Sequence, residues 1–184
     1  MSEFVARRLR SGQTLRYHTT PRIGNGQTVA EHAWRATVLL HTLWPDRASP
    51  EALLYMLYHD AAEQELGDIP APTKWGYPAL AEHYTAAERE VERDLELPYH
   101  RDILSADEYI LCKMADMLEL VDHTGHRIIC GDHSFEARNI YWNGRKHLLK
   151  VYGTNYLFPP AHKFLEHLHA QVVQVCPAAA AHVG

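Results

Sequence analysis

The stretch Ser49-Pro50-Glu51-Ala52-Leu53-Leu54-Tyr55-Met56-Leu57-Tyr58-His59-Asp60 reads as helix along its whole length. Ser49 suits an N-cap. Pro50 suits the first helical position, where a missing N–H is harmless, and Glu51 suits the positive end of the helix dipole. Leu53, Leu54, Leu57 and Tyr58 then recur at helical spacing as one apolar stripe. The pattern predicts a helix through His59-Asp60 to about Leu66, ended by Gly67.

The same signals recur on both sides. Upstream, Thr28-Val29-Ala30-Glu31 is a capping box that opens a helix to about Trp44, where Pro45 stops it. Before it, residues 11–27 read as a loop with a turn at Gly24-Asn25-Gly26, and Phe4 to Leu9 as a short helix with Arg7, Arg8 and Arg10 on its polar side. Downstream, Pro70, Pro72 and Pro78 make residues 67–78 a stiff loop with no regular element. A charged surface helix is expected over 79–96. A second capping box, Ser105-Ala106-Asp107-Glu108, starts a long helix through Lys113, Asp116 and Asp122. Further helices are expected over about 134–150 and 160–175, and the tail from Pro177 is expected to fray. No segment alternates as a strand does, and no repeat is present. The expected fold is all-α: a single helical bundle over 1–184 with about six to eight helices.

Composition bounds the function. At 184 residues, 46% hydrophobic and 22% charged, the chain can bury a core, which excludes a disordered body. A net charge of -5 argues against a general nucleic-acid binder. Cys112, Cys130 and Cys176 form no CxxC pair and read as reduced core or surface thiols of a cytoplasmic protein. No apolar run approaches the roughly 20 residues of a membrane span. Met1-Ser2-Glu3-Phe4 lacks a signal-peptide core. A small-molecule substrate is therefore expected, with no membrane or nucleic-acid partner.

Histidine is unusually frequent, with 14 residues, and imidazole is the commonest metal ligand among side chains. His59-Asp60 pairs a nitrogen with an oxygen donor, which suits a borderline divalent transition metal. Two ligands make a weak site, but two more lie inside predicted helices. His32 follows the first capping box. Asp116 sits among Met114, Ala115, Met117 and Leu118, where a carboxylate needs a partner. Four ligands from three helices would leave positions open for water and substrate, as catalytic sites require. Ligand type allows Zn, Co, Mn or Fe. No HExxH, Walker A or GxSxG motif is present.

The ordered set His32…His59-Asp60…Asp116 resembles the HD-domain phosphohydrolases. It is most similar to the YfbR-like 5'-deoxynucleotidases and the short phage dATP triphosphohydrolases. Arg16-Tyr17, Thr28-Val29-Ala30-Glu31-His32, His59-Asp60-Ala61-Ala62-Glu63, Gly67-Asp68-Ile69-Pro70-Ala71-Pro72-Thr73-Lys74 and Lys113-Met114-Ala115-Asp116 carry the likeness. The resemblance implies His32, His59, Asp60 and Asp116 as ligands of a Zn, Co or Mn ion, and allows additional Mg on the phosphates. It implies Glu63 as the proton-handling residue and Asp68 as a second acid. The bare alternatives are a surface charge and a turn residue. It implies Arg16 and Lys74 as phosphate-binding cations, which otherwise read as solvated loop charges. Tyr17, Pro72 and Trp75 would wall the base, and His18 would lie by the sugar. The family often has Trp where this chain has Tyr17. Arg35 is expected to face the site or pair with an acid. The relatives assemble as homo-oligomers, dimers or larger, and the same is expected here.

The implied reaction is hydrolysis at the 5' α-phosphate of a purine deoxynucleotide, with dATP giving deoxyadenosine and triphosphate as the leading substrate. A 5'-deoxynucleotidase acting on monophosphates is the alternative. A cyclic-nucleotide phosphodiesterase, which commonly has further ligands for a binuclear site, and a non-catalytic metal-binding module stand further off.

Overall fold

The computed structural model describes residues 3–16, 26–97 and 101–177. The helices run in the order α1 (Glu3–Ser11), α2 (Val29–Leu43), α3 (Pro50–Tyr58), α4 (Glu63–Leu66), α5 (Ala71–Gly76), α6 (Pro78–Asp94), α7 (Ala106–Ile129), α8 (Phe135–Tyr152) and α9 (Pro159–Val175), with a 3-10 turn at Arg101–Ile103. Among the described residues no strand forms, and Leu15 and Thr28 make one isolated antiparallel bridge. The all-α expectation holds. No helix among the described residues is long and apolar enough to cross a membrane. Gly24 and Asn25 of the expected turn lie outside the described residues, as does the tail from residue 178.

Both capping boxes form. Thr28 Oγ1 accepts from the Glu31 backbone N–H while the Glu31 carboxylate accepts from the Thr28 N–H, and Ser105 and Glu108 do the same. These caps fix where α2 and α7 begin, and hence which turn of each carries His32 and Asp116.

Two expectations fail for local reasons. The helix over 50–66 breaks: α3 stops at Tyr58, and His59 to Ala62 tighten into a turn through Ala61 N–H to Tyr58 O (2.9 Å) and Glu63 N–H to Asp60 O (3.1 Å). The stretch 67–78 is not without regular structure, because 71–76 form α5. Pro70 is its N-cap and Pro72 falls within its first two positions, where no intrahelical N–H is needed. Gly67, at φ +78, closes α4 in the left-handed region open to glycine.

α7, 24 residues long, is the axis of the fold. Its Leu111, Met114, Ala115, Leu118, Val121 and Ile128 are buried against α2, α3, α8 and α9. A smaller cluster, Ala61, Ala62, Val91, Leu95 and Leu97, seats the turn after α3 against the end of α6. The two clusters therefore hold the His59-Asp60 turn from both sides. Cys112 and Cys176 are buried and Cys130 is exposed, all as free thiols.

α7 and α8 approach closely at Gly144. A Cβ there would stand 2.7 Å from Val121 Cγ2, a β-branched side chain fixed in the core. Gly144→Ala is expected to lower stability by about 1–3 kcal/mol, the usual result of overpacking. Urea unfolding of the variant checks this. An unchanged midpoint would mean that the α7–α8 contact yields freely.

Candidate metal centre

The capping box on α2 delivers His32 into the interior, where its side chain is 0% exposed. The α3–α4 turn delivers His59 and Asp60, and the middle of α7 delivers Asp116. His32 Nε2 lies 3.2 Å from Asp116 Oδ1 and 3.5 Å from Asp60 Oδ2. His59 Nε2 lies 3.3 Å from Asp60 Oδ1 and 3.7 Å from Asp116 Oδ1. Donors around one ion at about 2.1 Å stand roughly 3.0–3.4 Å apart, so these spacings suit a single divalent cation.

A second observation supports the fit. The Nε2 atoms of both histidines are buried with no hydrogen-bond partner. Each ring spends its other nitrogen elsewhere: His59 Nδ1 donates to Met56 O at 2.7 Å, and His32 Nδ1 faces Glu119 Oε2 at 2.6 Å. A buried orphan nitrogen is unfavourable unless something completes it. Here both orphans aim at the same carboxylates, and His32, His59 and Asp60 form a cluster able to hold a metal ion.

Charge is arranged to match. Burial alone would raise the Asp116 carboxyl. Lys113, 3.0 Å away, and the neighbouring His32 and His59 imidazoles instead hold it well below the ordinary range. Burial also opposes ionisation of Asp60, but His59, Arg16 and His32 lower it, with Arg16 Nη1 2.9 Å from Oδ2. Burial and Arg16 press His32 towards neutrality, yet Asp116, Glu119 and Asp60 outweigh them and raise it. Ionised carboxylates gathered on two imidazoles thus draw positive charge to this point.

Glu63 stands beside the cluster, only 6% exposed, with Oε2 unpartnered. Burial, then the charges of Asp60 and Asp68, push its carboxyl up to about 9. The sequence placed Asp60 and Glu63 on one helix face. The structure brings them together through the turn instead.

A cleft of about 440 Å³ opens on the cluster, with Arg16, Asp60, Glu63, Asp68 and Lys74 at its wall. Lys74 Nζ pairs with Glu88 Oε1 at 3.3 Å and lies over the Tyr84 ring. Lys113, Tyr55, Tyr109, Tyr152 and Arg101 also line the cleft, and the Arg101 guanidinium stacks 4.5 Å over the Tyr109 ring. Tyr17 and His18 lie outside the described residues. Pro72 and Trp75 belong to α5, and their side chains also lie outside the described set.

Arg35 pairs with acids, bonding Glu119 and Asp122. Glu119 and Gln27 were not singled out from the sequence. Glu119 follows Asp116 by three residues on a helix, the spacing that shares a face, and that was the available signal.

The chain is similar to known proteins. The family described as 5'-deoxynucleotidase YfbR-like matches residues 14–138. The 5'-deoxynucleotidase PBPRA2627 of Photobacterium profundum is 26% identical over 129 residues. That alignment takes in 59% of this chain and 66% of the relative, so the chain spans just under two thirds of that protein's length. Among solved structures, the cyanophage S-2L HD phosphohydrolase DatZ, bound to dA and one catalytic Zn2+ ion, superposes with a TM-score of 0.70 over 95% of this chain and 98% of that one. At 22% identity it establishes a shared fold.

Proposed function

The chain belongs to the YfbR-like 5'-deoxynucleotidase family, and from that premise we propose that it is a metal-dependent nucleotide phosphohydrolase acting at the 5' α-phosphate of a purine deoxynucleotide. The observation that carries this is the pair of orphaned Nε2 atoms, on His32 and His59, facing Asp60 and Asp116 beside a buried, protonatable Glu63.

We assign His32, His59, Asp60 and Asp116 to the ion, with Zn, Co or Mn suited to this mixed nitrogen and oxygen set. When bound, such an ion polarises a phosphoryl oxygen and eases deprotonation of an attacking water. The chain's own groups do the rest. Arg16 and Lys74 hold phosphate oxygens at the cleft wall, Arg16 by its guanidinium fork. Water attacks the α-phosphorus and the bond to the nucleoside 5' oxygen breaks. Glu63, protonated before the reaction, gives its proton to that departing oxygen, and Asp68 accepts from the incoming water. The products of dATP are deoxyadenosine and triphosphate. Tyr17, Pro72 and Trp75 are assigned to the base. Additional Mg on the phosphates is compatible with this scheme.

The cleft itself favours a triphosphate. Lys113, Tyr55, Tyr109, Tyr152 and Arg101 also line it, residue types able to donate to further phosphate oxygens, although Glu88 and Glu92 share this wall. Arg101→Ala is expected to raise KM for dATP about 10-fold, the loss of one charge-assisted hydrogen bond, and to leave dAMP unaffected. Steady-state kinetics on both substrates check this. An equal effect on both would remove Arg101 from phosphate binding.

The alternative is the monophosphate reaction that the family's description names. Incubation of the metal-loaded protein with dATP, dGTP, dAMP and dGMP separates the two. Deoxyadenosine and triphosphate from dATP is the expected result. Phosphate from the monophosphates alone would assign a 5'-deoxynucleotidase, and turnover of none would refute the nucleotidase assignment. We further place the enzyme in the cytoplasm as a homo-oligomer. The reduced thiols support the first, and exposed Trp34 and Val38 on α2 offer apolar contact for the second.

A further inference from the structure

Glu119 is the only fully buried carboxylate among the described residues, at 0% exposure, and it touches no cleft surface. Its Oε2 meets His32 Nδ1 at 2.6 Å. Its Oε1 accepts from Gln27 Nε2 at 2.6 Å and from Arg35 Nε at 2.8 Å. Two donors converge on Oε1, one of them the Arg35 guanidinium, which is the arrangement of an ionised carboxylate. An ionised carboxylate only accepts, so the proton on His32 must sit on Nδ1. In the neutral ring the lone pair then lies on Nε2, the atom 3.2 Å from Asp116 and without a hydrogen-bond partner.

We propose that Glu119 is the positioning residue of the metal centre: clamped by Gln27 and Arg35, it fixes the His32 tautomer and ring plane that present Nε2 to the ion. The assignment rests on His32 being a ligand, as proposed above. His59 reaches the same tautomer differently, through the Met56 carbonyl at the end of α3. One ligand is therefore set by the backbone, and the other by a side-chain relay across α2 and α7.

The relay makes an unusual demand on a near-isosteric variant. In Glu119→Gln the amide oxygen is drawn to the two donors, Gln27 and Arg35. Its NH2 then faces His32 Nδ1, which must accept, and the ring proton moves to Nε2 and points at the ion. Zn2+ affinity, measured by competition with a chromophoric chelator, is expected to fall roughly 10–100-fold, as when outer-shell partners of metal-bound histidines are lost. In the metal-free protein, above the imidazole titration, 15N NMR should show His32 protonated on Nδ1 in wild type and on Nε2 in the variant. A merely structural role for Glu119 would not invert the tautomer.

Several results would overturn the proposal. Wild-type His32 protonated on Nε2 would do so with no variant needed. Glu119→Gln with unchanged affinity and tautomer, while His59→Ala loses Zn2+, would refute the positioning role alone. A wild-type protein that binds no Zn2+ at all would take the metal centre down with it.

Discussion

Asp60→Ala is expected to bind no stoichiometric metal and to lose turnover, with affinity falling by more than the ~10²-fold that marks the upper end of outer-shell losses. Asp60 presents one oxygen to each histidine, at 3.5 and 3.3 Å, so its removal opens the cluster on both sides. It also leaves Arg16 without the carboxylate 2.9 Å away. That guanidinium would then stand beside the two imidazoles and oppose a cation directly. Metal analysis after dialysis gives the first check. A thermal series gives the second: added Zn2+ should raise the wild-type midpoint in proportion to the logarithm of its concentration, and leave the variant's unmoved. Retention of one equivalent of metal by the variant would show that the ion is held elsewhere.

Glu63→Gln should leave metal content and KM near wild type and lower kcat by about 10²–10⁴-fold, the range supplied by a positioned proton donor. Glutamine fills the same volume in the same 6%-exposed place but has no proton to give. The variant also reports on the carboxyl itself. With its pKa pushed up to about 9 by burial, then by Asp60 and Asp68, folded metal-free protein keeps a proton that the unfolded chain has released. In that window the native state binds more protons, so stability falls as pH rises from the ordinary carboxyl range towards about 9. Denaturation of the metal-free protein across these pH values should show this decline, and Glu63→Gln should flatten it. A variant with unimpaired kcat would move proton transfer to Asp68.

The two capping boxes made α2 and α7 legible, because each is a local, reciprocal pattern of side chain and backbone. They placed His32 and Asp116 correctly within their helices. The apolar stripe of α3 was equally plain, but not its end. Tyr58, His59 and Asp60 have no helix-breaking chemistry, and the turn there is held by tertiary packing of Ala61 and Ala62 on Val91 and Leu95. α5 was missed because its prolines sit at helix-starting positions, where they are permitted rather than disruptive. For the site, the donor types of His59-Asp60 pointed to a metal, His32 and Asp116 stood as two further candidates inside helices, and resemblance joined the four as one ligand set. Arg35 was left between two roles, and Glu119 stood unnoticed on the face of α7 that also carries Asp116. Only the packing of α2 on α7, across 87 residues of chain, shows that Glu119 meets His32.

The most direct test follows dATP hydrolysis in 18O-labelled water by protein that is metal-loaded, chelator-stripped or reloaded. Attack at the α-phosphorus with departure of the 5' oxygen predicts labelled triphosphate, unlabelled deoxyadenosine, no turnover after stripping and recovery on reloading. Label in the nucleoside, or turnover indifferent to the chelator, would contradict hydrolysis at a metal centre built from His32, His59, Asp60 and Asp116.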